Sequence, residues 1–369
     1  MISKQELNMQ LNEICEEAFE NADRRALQQS SEAIRTRYRD KETAWGDLEI
    51  RTDEEAKAYL AWRFPVTAMV IFEVLNRLKL AYPEFQPESV LDIGAGPAVS
   101  VLPVLTQFPG VRNFFLVEEQ IAMQKSGDLI LDLLKDQLPT SVKLERINSS
   151  FEVAQLPQAD LVLASYVVNE LSLKETKVFC QKLSEATKQA AVLIVPGTPE
   201  HFQKLTRLRN LLLEAGFSII APCTYSGHCH MEDETDWCHF YERVHRSKLL
   251  RQLKSAELSY EDEKFSYLVV VKNEVGKLIK EPVRPANTMP ARIIRHPMIY
   301  KGYREVTLCD EKGITMVQFT KGKHKLVYKE LKDKTWGDLL DLPDNATKLK
   351  PSSKDPLTTQ LPAKKKNTI

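Results

Sequence analysis

The chain lacks an uninterrupted run of about 18 apolar residues, so no membrane span is expected. Its first residues, MISKQELNMQLNEICEEAFENADRR, lack the apolar core of a signal peptide. They are also rich in Glu, unlike a mitochondrial transit peptide. These absences predict a cytoplasmic protein with reduced thiols and no membrane partner. The chain has no net charge, with 51 basic and 51 acidic residues, so the overall balance does not single out nucleic acid. It has no internal repeat. It also lacks the Asn-Pro-Pro-Tyr or Asp-Pro-Pro-Tyr signature of enzymes that methylate exocyclic amines. No side chain stands out as a general base, so the catalytic residues stay unassigned.

What is present is unevenly distributed. Residues 1–60 carry 14 acidic against 9 basic residues, whereas residues 292–334 carry 11 basic against 5 acidic. The basic C-terminal stretch suits contact with phosphate, the plain alternative being a solvated charged face.

Residues 1–85 read as a helical N-terminal region. Leu60, Phe64, Met69, Ile71, Val74, Leu75 and Leu78 recur at helical spacing, and Pro65 is expected to kink or break that pattern. From Ser89 strands alternate with helices. SVLDIG, NFFLVEE, ADLVLASYV and AAVLIVPG read as strands, with helices near 120–137, 172–188 and 200–215. That rhythm predicts an α/β, Rossmann-like core over residues 86–275, with helices on both faces of a parallel sheet, and the chemistry of its loop LDIGAGPAVS makes the expectation a class I methyltransferase core. EKFSYLVVVKNE is expected to complete the sheet from its edge. A Cys-rich insertion occupies 221–255. The segments ARIIRH, YREVTLC, ITMVQFT and KLVYKEL predict a small basic β-rich domain over 276–341, and the Pro-, Ser-, Thr- and Lys-rich remainder, 342–369, a disordered tail.

LDIGAGPAVS follows a strand and precedes a helix. Gly94 and Gly96 allow a tight turn and close approach of backbone to ligand, and ligands of parallel sheets lie beyond the carboxyl ends of the strands. Glu118 ends the next strand, where a carboxylate accepts hydrogen bonds from ribose hydroxyls; Glu119 is its alternative. Asp92 precedes the first Gly in an Asp-x-Gly-x-Gly pattern. A carboxylate there repels a pyrophosphate and suits a sulfonium cofactor with a cationic amino-acid tail. The loop from Asp92 to Pro97 therefore favours S-adenosylmethionine over a nicotinamide dinucleotide. The plain alternative is a turn that has lost its ligand. Ser165, Asn169 and Glu170 follow the third strand and are expected to face the cofactor's methyl group.

Cys15 and Cys180 read as core fillers in helices. Cys223, Cys229 and Cys238 fall in APCTYSGHCHMEDETDWCHF, and Cys309 lies far downstream. Four thiolates suit zinc or an iron–sulfur cluster, but the spacing is not the paired Cys-x2-Cys of a zinc ribbon. His228, His230 and His239 are alternative ligands, so spacing alone leaves the metal open. After Cys238, Arg243, His245, Arg246, Lys248, Arg251 and Lys254 are expected on one helix, several sharing a face suited to phosphate.

Together these residues resemble the family of methyltransferase-like proteins of the mitochondrial small ribosomal subunit, which has bacterial members. The likeness runs from Tyr59 to Asp338. It is carried by the Arg-x-Pro helix in YLAWRFPVTAMVIFEVL, by VLDIGAGPA, SYVVNEL and VPGTP, and most specifically by APC-x5-C, DWCHFYERVHRS, EDEKFSYLVV, TLCDEKG and KTWGD. Two positions depart from the family pattern. Ala98 stands where a third Gly is usual, and Val195 where Glu is common before Pro-Gly-Thr-Pro. The resemblance implies a Rossmann-like methyltransferase core, and the loop and strand ends read above make Asp92, Gly94, Gly96, Pro97, Glu118, Ser165 and Asn169 the candidate S-adenosylmethionine-binding residues. It also implies a [4Fe–4S] cluster held by Cys223, Cys229, Cys238 and Cys309. The small ribosomal subunit and its rRNA are the implied partners; Arg243, Arg246, Lys248 and Arg251 of the basic stretch are the candidate RNA contacts, a solvated helix being the plain alternative. A bacterial, cytoplasmic member that is monomeric when free is the expectation. A non-catalytic small-subunit assembly factor and a zinc-stabilised small-molecule methyltransferase are the competing readings.

Overall fold

A computed structural model describes residues 2–39, 50, 52–232, 236–280, 282–344 and 346–348. The chain divides into two compact units, Met1–Ser226 with His239–Pro282, and Gly227–Cys238 with Val283–Ile369.

In the first unit, α1 (Lys4–Ala18), α2 (Arg24–Arg39) and α3 (Asp53–Ala81) come first. A capping box starts α1. Ser3 Oγ accepts from the Glu6 amide at 3.2 Å, while the Glu6 carboxylate accepts from the Ser3 amide at 2.6 Å. Helix α3 runs unbroken through Pro65, contrary to a break there. Its apolar face accounts for this: Leu60, Phe64, Met69, Ile71, Val74, Leu75 and Leu78 are all buried. Each contributes roughly 1.5–3 kcal/mol, together outweighing the roughly 3 kcal/mol that an interior proline costs. By length and composition α3 is the one helix among the described residues able to cross a membrane. Its apolar stretch is 83% buried inside this unit, as befits a core helix. Cys15 and Cys180 are core thiols, and burial pushes the Cys15 pKa up to about 12.

The sheet follows as β1 (Ser89–Ile93), α4 (Val101–Gln107), β2 (Asn113–Val117), α5 (Ile121–Leu134), β3 (Lys143–Ile147), β4 (Ala159–Ser165), α6 (Leu173–Ala186), β5 (Thr187–Pro196), α7 (Pro199–Glu214), β6 (Phe217–Ala221), β7 (Phe240–His245), α8 (Lys248–Leu253), β8 (Tyr260–Lys272) and α9 (Asn273–Gly276). The strand order is β3-β2-β1-β4-β5-β8-β6, with β7 also on β8. Strands β1 to β5 pair in parallel, and β8 is antiparallel to β5, β6 and β7. This is the seven-stranded order of class I methyltransferases with one extra strand, β7. Because order reverses between β1 and β4, right-handed crossovers send the helices to opposite faces and open a crevice at the strands' carboxyl ends.

Two strand expectations change. EKFSYLVVVKNE is not an edge: β8 lies between β5 and β6, and Phe265–Val271 is buried on both faces. Its near-continuous apolar run carries that signal. Strand β3, KLERI, escaped notice because it is a polar strand at the sheet's rim.

The second unit contains β9 (Thr288–Ile293), β10 (Met298–Ile299), β11 (Tyr303–Asp310), β12 (Gly313–Thr320), α10 (Lys325–Glu330), β13 (Leu339–Pro343) and β14 (Thr347–Lys348). Its antiparallel sheet has the order β13-β9-β11-β12-β14, with β10 on β11. Ala291, Ile293, Val306, Leu308, Val317, Phe319 and Leu340 form its core. KLVYKEL, read as a strand, is helix α10, a short segment whose periodicity is ambiguous by itself. Strand pairing continues past residue 342 through β13 and β14, and residues 349–369 lie outside the described residues.

Candidate functional site

The first unit contains a cavity of about 760 Å³ at the carboxyl ends of β1, β2 and β4, with α3 as a further wall. The glycine loop forms its floor. Gly94 (φ +73°) and Gly96 (φ +52°) adopt the left-handed conformation that glycine tolerates. A Cβ on Gly94 would stand 2.9 Å from the Val167 side chain, so the loop sits tightly against the segment after β4. Gly127 in α5 is equally constrained, since a Cβ there would meet the Pro97 backbone at 2.8 Å. Ala98 also has positive φ, +58°, at the position where the resembled family usually has its third glycine.

Asp92, Gly94, Gly96, Pro97, Glu118 and Ser165 all line the cavity. The side chain of Asp92 is buried and accepts a 2.5 Å hydrogen bond from Ser100 Oγ. Burial raises its pKa to about 7, and nearby Glu118 pushes the same way, against the Ser100 bond. Glu118 joins the two loops: Oε2 accepts from the Gly96 amide and Oε1 from the Gln120 amide, both at 2.8 Å. Glu118 thus stands half-buried at the end of β2 in the cavity wall, and Glu119 lines the same cavity at an exposed position. Burial also raises the pKa of Glu118.

Asn169 is a correction. It is buried but does not line the cavity; Tyr166 and Glu170 occupy that wall. The turn after β4 explains the change, because Tyr166 takes a positive φ of +61° and redirects the residues that follow. Sequence reasoning missed Tyr59, Arg63 and Thr67 on α3. Arg63 lies 5.2 Å over the Tyr166 ring and 2.9 Å from Glu263. The Arg-x-Pro segment flagged this helix without giving Arg63 a place in the cavity.

The cavity's chemistry is distinctive. Asp92, Glu118, Glu119 and Glu170 line it, and its basic side chain, Arg63, is already paired with Glu263. Among the described residues, Asp92 Oδ1, Thr67 Oγ1 and Ser165 Oγ are buried without hydrogen-bond partners. Such atoms are costly to leave unsatisfied, so a polar ligand with donors and positive charge fits the walls. A pyrophosphate does not.

A sequence profile described as "Mitochondrial small ribosomal subunit Rsm22" matches residues 53–341. The chain belongs to this family. Two curated relatives, the mitochondrial Rsm22-cox11 tandem proteins 1 and 2 of Schizosaccharomyces pombe, are each 26% identical over 343 residues, covering 82% of this chain. The chain spans only 45% of their length. Among solved structures, magnesium protoporphyrin IX methyltransferase of Synechocystis PCC 6803 with bound SAH is 12% identical, covering 58% of this chain and 87% of that one at a TM-score of 0.38. A putative O-methyltransferase of Nostoc punctiforme is 14% identical over 72% of each chain at a TM-score of 0.39. The fold assignment rests on the strand order above.

The remaining predicted residues divide between the units. Cys223 follows β6 in the first unit and packs against its core. Cys229, Cys238 and Cys309 belong to the second. Within that unit, the His230 ring bonds the Glu311 carbonyl at 3.0 Å and Asp236 pairs with Arg295. His230 is thus held at the turn of the hairpin that carries Cys309, and Cys309 pairs in register with Arg292 of β9. Among the described residues, no group of three or more His, Cys, Asp or Glu is gathered to hold a metal.

The single basic helix at 243–254 is also corrected. Arg243 lies on β7, and its guanidinium makes two 2.7 Å bonds to Asp262. Arg246 pairs with Glu261 at 3.1 Å, and Lys254 with the same carboxylate at 2.6 Å. Only Lys248 and Arg251 lie on α8, both exposed. Alternating burial of Phe240, Glu242 and Val244 places residues 240–245 in the sheet.

Proposed function

We propose that this chain binds S-adenosylmethionine in the 760 Å³ cavity and acts on the small ribosomal subunit or its rRNA in the cytoplasm. The observation that carries the cofactor assignment is the buried, half-satisfied Asp92 beside the loop-bridging Glu118. In this reading Asp92 faces the cationic end of the cofactor and Glu118 receives the ribose hydroxyls. Gly94 and Gly96 admit the ligand against bare backbone. The bound cofactor supplies an electrophilic methyl group; the protein's part is to orient it and exclude water. The ribosomal assignment rests on family membership.

The same proposal includes an iron–sulfur cluster with Cys223, Cys229, Cys238 and Cys309 as ligands. Its support is the donor chemistry, four thiols apart from the two core cysteines, and the contact of His230 with the turn of Cys309's hairpin. Lys248 and Arg251 remain proposed phosphate contacts. Arg243 and Arg246 would reach RNA only by sharing their carboxylate partners' salt bridges.

Incubation of the metal-replete chain with methyl-labelled cofactor and precursor small subunits tests the catalytic reading: label should appear in rRNA. A non-catalytic assembly factor is the second reading, supported by the exposed Lys248 and Arg251 on α8, which serve subunit binding without turnover. It predicts cofactor binding and subunit association without transfer. Failure to bind S-adenosylmethionine at all would remove the cofactor assignment from both.

A further inference from the structure

The second unit carries a surface that neither the cavity nor the cysteines use. Strand β10 and the turn after it present Met298, Ile299 and Tyr300 to solvent at 41%, 66% and 40% exposure. The turn closes through the Tyr300 amide to the Tyr303 carbonyl at 3.0 Å, and Gly302 (φ +96°) makes it possible. It brings the two tyrosine rings into a stack, 4.7 Å between centroids and 18° between planes. The Lys321 amide bonds the Gly302 carbonyl at 2.9 Å, which draws the 320–325 segment to the same end of the sheet. Strand register agrees, since Tyr303 pairs with Thr320.

The charges there have one sign. Residues 296–304 and 320–329 together contain Lys301, Arg304, Lys321, Lys323, Lys325 and Lys329 and no acidic residue. Lys301, Lys321, Lys323 and Lys325 are exposed, and none forms a salt bridge among the described residues. The flanking carboxylates are engaged: Glu305 accepts from Gln318 and Glu330 pairs with Lys334.

We infer that this end of the second unit is a platform for single-stranded nucleic acid, with Tyr300 stacking on an unpaired base and Lys301, Lys321 and Lys323 meeting the flanking phosphates. A pre-stacked, half-exposed aromatic pair within a cationic rim is the chemistry that holds bases without reading their sequence. A lipid surface would use the same lysines with Ile299 but has no use for a ring stack. The inference rests on the ribosomal reading above only for the identity of the strand, an unpaired segment of small-subunit rRNA.

The test is fluorescence anisotropy of a labelled uridine dodecamer titrated with the full chain across roughly 50–200 mM salt. Tyr300→Ala is expected to weaken binding about tenfold, and Tyr300→Phe to leave it unchanged. The triple variant Lys301→Gln, Lys321→Gln, Lys323→Gln is expected to reduce the slope of log affinity against log salt by about 2. Melting curves matching the parent's are required of each variant. Binding unaltered in both Tyr300→Ala and the triple variant overturns the platform, as does capture by phosphatidylserine vesicles in place of the oligonucleotide. Co-sedimentation with purified small subunits separates the two proposals. A parent chain that binds the dodecamer through Tyr300 but does not co-sediment keeps the platform and sinks the ribosomal reading. A chain that co-sediments while both sets of substitutions leave dodecamer binding intact does the reverse.

Discussion

Glu118 Oε2 accepts the Gly96 amide at 2.8 Å, so the carboxylate that would hold a ribose also fastens the glycine loop to the end of β2. One residue thus sets both the shape of the cavity floor and its charge. Removing it should cost more than a lost ligand contact.

Glu118→Ala is expected to weaken S-adenosylmethionine binding by about 10–100-fold, the equivalent of one to two hydrogen bonds to a charged group. Glu119→Ala, at an exposed position, should change it less than about threefold. Calorimetric titration of both variants decides the matter. Equal losses would remove Glu118 from the site.

Asp92 makes stability depend on pH. Its carboxyl ionises near 3.8 when unfolded and near 7 in the native chain. Below the first value both states hold the proton and the native state keeps its full advantage. Between the two the unfolded chain ionises first, so stability falls with rising pH until the loss is complete above about 7. Asp92→Asn should therefore melt higher than the parent at pH 8, by up to about 4 kcal/mol, with the difference vanishing in acid. The same variant should lose the cofactor. Cofactor binding to the parent should release a proton near pH 7, read as a dependence of the calorimetric heat on buffer. A variant no more stable than the parent at pH 8 would contradict this account.

Two substitutions, one in the glycine loop and one in α5 where it packs against that loop, should act in opposite directions. Gly127→Ala gains about 1 kcal/mol of helix propensity but drives a methyl group into Pro97, so it should lower both stability and cofactor affinity. Ala98→Gly relieves a left-handed alanine and should be neutral to stabilising, within about 1 kcal/mol, once the added freedom of the unfolded chain is subtracted. Chemical denaturation of both variants measures this. A destabilising Ala98→Gly with a tolerated Gly127→Ala would show the loop geometry to be wrong.

Lys4 bridges Glu73 at 3.0 Å and Glu242 at 2.6 Å, anchoring α1 to α3 and β7. Burial raises the Glu242 pKa to about 7 even with Lys4 in place. Lys4→Met should cost about 2 kcal/mol, discounted for the lysine's partial exposure. Adding Glu242→Gln should recover more than half of that, because no buried charge is then left unpaired. The double-mutant cycle fails if the two losses simply add.

The metal proposal has an analytical readout. Chain purified without oxygen should contain iron and acid-labile sulfide and absorb broadly near roughly 400 nm. Cys309→Ser and Cys223→Ser should each abolish both signals, whereas Cys180→Ser should not. Zinc in place of iron, or iron retained in Cys309→Ser, would defeat the four-cysteine assignment.

The sequence alone determined the parallel core, because strand–helix alternation from Ser89 and the glycine loop are local patterns of side-chain chemistry and backbone freedom. It also determined the cavity floor, since Asp92, Gly94, Gly96 and Glu118 are spaced by two adjacent βα units. Only the tertiary structure decided what closes the site. Arg63, Tyr59 and Thr67 reach the cavity from a helix that precedes the sheet, and no spacing rule links them to it. It also decided that Arg243 and Arg246 spend their charge on Asp262 and Glu261, carboxylates of β8. Periodicity reports which residues share a face, while pairing between distant segments depends on strand order and register, which are set by burial of the whole sheet.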